Sequence, residues 1–222
     1  MAAFPHAGFI QCYGATETCG TVVYLPPGDH DPAGNARMLG CGKPFPGNEI
    51  RIIDEAGAAL PTGTIGEVAI KSVSTMSGYH GNPEATAKAI QDGWYRTGDA
   101  GFVDGDGYLT LFDRVKDMIV SGGENIYPAE VENALHEHPL VADCAVIGIP
   151  DARWGEAVKA IIVTRGAVGQ DEIIAFARER IAGFKVPKSV DFVDVLPRNA
   201  SGKILKKDLR APYWPSAGRQ IG

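Results

Sequence analysis

"FDRVKDMIVSGGENIYPAEVE", Phe112 to Glu132, is the stretch in which the chain changes its periodicity. Its head closes a run of alternating apolar and polar residues, and its tail opens a helix with Pro128 at the first helical position. Val131, Ala134, Leu135 and His138 then fall on one face before Pro139 stops the pattern. The change takes place between Asp113 and Asp117 with almost no linker, and connections that short can act as hinges. The chain thus divides into a strand-rich part over 21–113, a hinge over 114–116 and a mixed part over 117–215. Residues 1–20 precede them and 216–222 form a tail.

Upstream of the switch, "EIRIID" (49–54) and "GEVAIKS" (66–72) carry β-branched residues on either side of a turn-rich connection. "AGFVDGDGYLTLFD" (100–113) predicts a hairpin turning at Asp104-Gly105-Asp106-Gly107. A calcium loop is the other use of such aspartates, but the further oxygen ligands and closing glutamate of an EF-hand are absent. Downstream, "LVADCAVIGIP" (140–150) and "AVKAIIVT" (157–164) read as buried strands. "GQDEIIAFARERIAG" (169–183) predicts a helix with Ile173, Ile174, Ala177 and Ile181 inward and Gly183 ending it. "SVDFVDV" (189–195) reads as a further strand.

The 222 residues suffice for one large domain or two smaller ones, and the 45% hydrophobic and 22% charged content is that of a soluble globular chain. A net charge of −6 argues against a general nucleic-acid or anionic-membrane binder. Cys12, Cys19, Cys41 and Cys144 form no C-x-x-C pair and have no His at metal-ligand spacing, so buried free thiols are expected. "MAAFPHAGFI" lacks the basic start and sustained apolar core of a signal peptide, and no apolar run spans a bilayer. These features predict a cytoplasmic protein.

Four short segments carry chemistry. In "YGATE", Tyr13 offers a flat ring to a base, Gly14 a close backbone approach, Thr16 a hydroxyl to a phosphate and Glu17 a carboxylate to magnesium. In "YRTGD", Asp99 closes a turn where a carboxylate can accept both hydroxyls of a ribose. Arg114 can reach a ribose or phosphate, and Gly122-Gly123 leaves backbone bare for a ligand to pass. In "PRNASGKILKKDLR", Lys203 follows Ser201-Gly202 on a predicted loop, where it could face a transferring phosphoryl group. Taken singly, each is equally a turn, a capped helix or a solvated surface residue.

Their order is more specific. "YGATE", "GEVAIKS…SGYHGNPEAT", "YRTGD", "DRVKDMIVSGGENIYPAEVE" and "PRNASGKILKKDLR" together resemble the adenylate-forming superfamily, and within it the acyl-CoA synthetases, from about Gln11 to Arg210. The resemblance implies a fold of α/β plus β, a distorted β-barrel subdomain followed by a small mobile α+β lid. It implies two half-reactions: a carboxylate attacks the α-phosphate of Mg-ATP to give an acyl-adenylate, then a thiol, usually of CoA, displaces AMP. Tyr13, Gly14, Ala15 and Thr16 are then nucleotide-binding, with Tyr13 on adenine and Thr16 at the phosphate. Glu17 places the metal, Asp99 holds the ribose with help from Arg114, and Lys203 bridges carboxylate and α-phosphate. Gly122 and Gly123 line the CoA thiol path, and Lys116 is the hinge about which the lid alternates between half-reactions.

No run such as "SGTTG" and no G-x-x-x-x-G-K-[ST] occurs in the chain, so the phosphate cradle of the family is missing. The chain therefore reads as the C-terminal part of an acid–thiol ligase for a fatty or aryl acid, inactive alone. An apolar patch at Phe4, Phe9, Ile10 and Tyr13 is expected to be exposed and to allow self-association. The alternatives are an adenylation domain that loads a carrier protein, and a non-catalytic fragment that binds nucleotide or CoA.

Overall fold

The computed structural model describes residues 6–214, and these fall into two compact units that divide between Val115 and Lys116. The first unit is built from antiparallel sheet. β1 (Gln11–Ala15), β2 (Gly20–Leu25) and β3 (Lys43–Pro44) form one sheet in that order. β4 (Glu49–Ile53), β5 (Gly66–Lys71), β6 (Ile90–Gln91), β7 (Trp94–Val103) and β8 (Leu109–Arg114) form another, with β5 on one side of β7 and both β6 and β8 on the other. Backbone bonds between Cys41, Gly42 and Leu109 stitch the two sheets into a curled half-barrel. Val22, Val23, Ile52, Val68, Ile70 and Leu109 fill its interior. A short helix, α1 (Pro83–Ala89), is capped by the Asn82 side chain, which accepts from the Ala85 N–H at 3.0 Å.

The predicted hairpin is β7–β8. Its turn is held by Asp104, whose carboxylate accepts from the N–H groups of Asp106 and Tyr108, both at 2.9 Å. Asp104 and Asp106 spend their outward oxygens on Arg37, at 3.1 and 2.5 Å, so these aspartates serve the turn. No group of three or more His, Cys, Asp or Glu that could hold a metal ion occurs among the described residues.

The second unit is layered. β9 (Ile119–Ser121), β10 (Glu124–Ile126), β11 (Val141–Asp151), β12 (Gly155–Thr164) and β13 (Ser189–Phe192) make one sheet, antiparallel except that β13 runs parallel to β12. Helices α2 (Pro128–His136) and α3 (Gln170–Arg178) cover one face, burying Val131, Leu135, Ile173 and Ala177 against Cys144, Val146, Val158, Ala160 and Ile162. The alternate residues Ala145, Ile147 and Ile161 point the other way. There they meet Ile204, Leu209 and Tyr213, which come from α4 (Lys206–Arg210) and the residues flanking it. Burial on both faces explains why β11 and β12 read as unbroken apolar runs instead of alternating ones.

Four sequence expectations change in detail. α3 ends at Arg178, not at Gly183, and the Arg180 N–H closes it with a tighter bond to the Ala177 carbonyl three residues back. Ile181 still packs on the core from beyond the helix. His138 lies past the end of α2, buried edge-on against Phe176 with ring centroids 4.7 Å apart. Of the four free thiols only Cys144 is buried; Cys12 and Cys19 are exposed and Cys41 is intermediate. In the expected apolar patch, Ile10 is exposed and Phe9 half-buried, Tyr13 turns inward, and Phe4 lies outside the described residues. No helix among the described residues is long and apolar enough to cross a membrane.

Candidate functional site

In the first unit the site begins with the pairing of β7 and β8, which sets Asp99 directly opposite Arg114. The Arg114 guanidinium reaches one Asp99 oxygen at 3.2 Å, and the Tyr13 hydroxyl donates to the other at 2.6 Å. Thr97 fixes the backbone behind them: its hydroxyl donates to the Val68 carbonyl and accepts from the Asp99 N–H. Gly98, at φ 70°, brings its N–H to Glu67, and the same glutamate holds Arg96 at 2.6 Å. Asp99 is therefore held in one geometry by its neighbours. Burial, reinforced by the Asp99 charge, pushes the Tyr13 hydroxyl far above its usual range, so Tyr13 stays a proton donor.

Glu17 sits in the turn of 3₁₀ geometry at Thr16–Thr18 that follows β1. Thr18, buried, accepts from the Ala15 N–H and donates to the Gly20 carbonyl at 2.8 Å. From below, the Ser74 hydroxyl donates to the Thr18 carbonyl and the Met76 N–H to the Glu17 carbonyl. The Tyr79 hydroxyl donates to the Glu17 carboxylate at 2.8 Å. Burial alone would raise the Glu17 pKa, but hydrogen bonds from Tyr79, the backbone and Tyr95, with the Arg114 charge, outweigh it and hold the group below the usual range. Thr16 is exposed beside it.

An ionised carboxylate on a fixed turn suits one position on a magnesium ion. Magnesium keeps several waters and is typically held by one or two carboxylates plus substrate phosphates. Gly14 also has a role in the packing of the sheet. A Cβ there would stand 1.9 Å from the Gly20 carbonyl oxygen, at the bulge between Tyr13 and Gly14, so its bareness serves the packing of β1 on β2.

Tyr79 and Tyr95 lie inside quoted motifs, yet nothing in their spacing shows that both meet Glu17. Tyr79 is separated from it by 62 positions. It is placed by its N–H, which donates to the Thr86 hydroxyl of α1 at 2.9 Å, and it lines a cleft of about 600 Å³ with Ser77, Asn82 and Ile90.

The second unit holds the remaining expected residues. Gly122 and Gly123, at φ 62° and 87°, form the two-residue turn between β9 and β10, a primed hairpin that only glycine adopts easily. A Cβ on Gly122 would come within 2.8 Å of the Trp154 ring, and the Gly122 N–H donates to the Trp154 carbonyl at 2.8 Å. Trp154 is 42% exposed with Arg153 over its ring, a neighbour that glycine spacing alone does not reveal. Lys116 lies in the 3₁₀ turn Val115–Asp117, and Asp117 is buried in an ion pair with Arg210 at 2.8 Å.

Lys203 stands exposed at the tip of a tight loop. Asn199 shapes that loop, its side-chain oxygen accepting from the N–H groups of Ser201 and Lys203 at 3.1 and 2.9 Å. Two residues further from the tip, Leu205 donates its N–H to the Pro197 carbonyl.

Comparison with known proteins agrees across both units. The family profile described as "AMP-binding enzyme" matches residues 1–80, and "AMP-binding enzyme C-terminal domain" matches residues 130–203. The chain is 46% identical over 217 residues to a fatty acid–[acyl-carrier-protein] ligase of Streptomyces coeruleorubidus, covering 96% of this chain and 41% of that protein. It is 49% identical over 208 residues to a feruloyl-CoA synthase of an Amycolatopsis species, covering 92% and 41%. Among solved structures, o-succinylbenzoate CoA synthetase from Bacillus subtilis with its acyl-adenylate intermediate superposes with a TM-score of 0.83 at 39% identity, covering 90% of this chain and 40% of that one. The chain thus spans about two fifths of the length of the relatives it matches.

Proposed function

The chain belongs to the AMP-binding, adenylate-forming enzyme family, and from that premise we propose that it supplies the ribose, metal, lysine and thiol-path parts of an acid–thiol ligase. In the first half-reaction a carboxylate oxygen of the acid bonds to the α-phosphorus of ATP, and pyrophosphate leaves. In the second, a thiolate sulfur bonds to the acyl carbon of the adenylate, and AMP leaves. The observation that carries this reading is Asp99, fixed between Arg114 and the Tyr13 hydroxyl with Thr97 behind it. Such a carboxylate can accept from both hydroxyls of a ribose without reorganising.

Around it, Tyr13 forms the adenine wall while its hydroxyl supports Asp99, and Gly14 and Ala15 keep that wall narrow. Thr16 donates to a phosphate oxygen. Magnesium held at Glu17 would neutralise phosphate charge as pyrophosphate departs. Lys203 brings two anions together, the acid carboxylate and the α-phosphate, which is the main difficulty of adenylation. Gly122 and Gly123 line the pantetheine path in the thioester step, and Lys116 is the hinge that exchanges one arrangement for the other.

The acid is a fatty or aryl carboxylate, as in the names of the relatives. The thiol acceptor is CoA. A second reading, a carrier-protein thiol, is favoured by the fatty acid–[acyl-carrier-protein] ligase at 46% identity. The phosphate-cradling run is not among these 222 residues, so binding of nucleotide and its turnover are separate questions. Calorimetry of the purified chain with AMP and Mg-ATP tests the first. Binding that weakens at least tenfold in Asp99→Asn supports the site; binding indifferent to that change overturns it. Acid-dependent exchange of labelled pyrophosphate into ATP, with Lys203→Ala as control, tests the second. The chain by itself is expected to show none.

A further inference from the structure

The peptide that joins Gly202 to Lys203 is held from both sides. Its carbonyl, on Gly202, accepts from the Arg198 guanidinium at 2.6 Å, and its N–H, on Lys203, donates to the Asn199 side chain at 2.9 Å. The next carbonyl, that of Lys203 itself, accepts from the Asn199 N–H at 2.9 Å. Arg198 is anchored in turn. Its other nitrogen reaches Asp143 at 2.5 Å, and the second Asp143 oxygen accepts from the Cys144 N–H at 3.0 Å in β11. A continuous run of hydrogen bonds therefore links the buried sheet to the backbone of the loop lysine. Gly202 sits at φ 82°, a conformation that lets the carbonyl face Arg198.

We propose that Arg198 is a positioning residue for Lys203, fixing the direction in which the lysine leaves the loop; this rests on the reading of Lys203 as the lysine of adenylation. Arg198 and Asp143 are partly exposed, at 42% and 29%, so the pair adds little to stability and its effect is geometric. The planar fork of arginine can serve carbonyl and carboxylate together, whereas a lysine reaches them only as a point charge.

The test compares wild type with Arg198→Met, which keeps the stem and removes the donors, and with Arg198→Lys. Backbone ¹⁵N relaxation of Gly202 and Lys203 is read first. The expected result is an order parameter of about 0.85 in wild type that falls below about 0.6 in Arg198→Met and recovers in part in Arg198→Lys. The melting temperature is expected to move by no more than about 5 °C. A loop already mobile in wild type, or unchanged in Arg198→Met, overturns the proposal, and this holds whether or not the chain turns over.

Where pyrophosphate exchange is measurable, kcat in Arg198→Met should fall about 10- to 100-fold with KM for ATP kept within about twofold. Equal loss in Lys203→Ala and none in Arg198→Met overturns the positioning role alone. Exchange that survives Lys203→Ala overturns the reading of Lys203 instead, while the relaxation result still decides the clamp.

Discussion

A methyl group at Gly14 would enter space held by the Gly20 carbonyl, 1.9 Å from its oxygen. Gly14→Ala is accordingly expected to destabilise the first unit by about 3 kcal/mol, read as a lower urea midpoint with an unchanged slope. Cys144 makes the opposite point about chemistry in a core. Burial lifts its thiol to about 12, so iodoacetamide at pH 8 should spare it in the folded chain while modifying exposed Cys12 and Cys19. Glu17 gives a pH signature. Its pKa is depressed in the folded chain, so it remains a carboxylate as pH falls through the ordinary glutamate value near ~4.3, and protonates only below that. Magnesium-dependent nucleotide affinity should therefore hold between about pH 7 and pH 5, with its loss moved to higher pH in Tyr79→Phe. Glu17 and Asp99 were legible as candidates through the order of the motifs that hold them, since either alone reads as an acid in a turn. Their tyrosines were not, since Tyr79 reaches Glu17 only through the folding of a distant loop onto α1.

Among elements, the hairpin β7–β8 and the two-faced strands β11 and β12 could be read directly, since turn residues and apolar runs are local. The end of α3 could not, because the chain continues with helix-forming residues and its close is marked by the Arg180 N–H turning to the Ala177 carbonyl three residues back. The strap formed by α4 and its flanks was invisible for a related reason. Nothing in its run of basic residues shows their partners, yet Lys206 pairs with Glu132 at 2.9 Å and Arg210 with Asp117 at 2.8 Å, all four side chains at most 16% exposed. Removing one partner of such a pair leaves a buried charge alone. Arg210→Leu should destabilise the second unit by about 3 kcal/mol, and Arg210→Leu with Asp117→Asn by less. Chemical denaturation of the single and double variants measures the difference.

At the level of the whole chain, the two units have separate cores, one around Val68 and Leu109 and the other around Val146 and Ile162. Hydrogen exchange across a denaturant series should show two blocks of protection, one over β5 and β7 and one over β11 and β12. Arg210→Leu should lower only the second. The division near residues 113–117 was readable as a change of period, and the family as an order of motifs. The pairing that gives each unit its shape was not, because β2, β3 and β8 meet through residues far apart in the chain.

The Asp117–Arg210 pair also bears on when each unit can form during synthesis. Among the described residues every strand of the first unit lies within 11–114, so its pairing draws on nothing made after Arg114. The second carries near its start Asp117, whose partner is made 93 positions later. Closing a loop of that length costs on the order of 4 kcal/mol in chain entropy, so the closure must follow formation of the sheet and helices between. Until then Asp117 has no Arg210 to pair with, and the strap formed by α4 and its flanks is expected to settle after the sheet it covers.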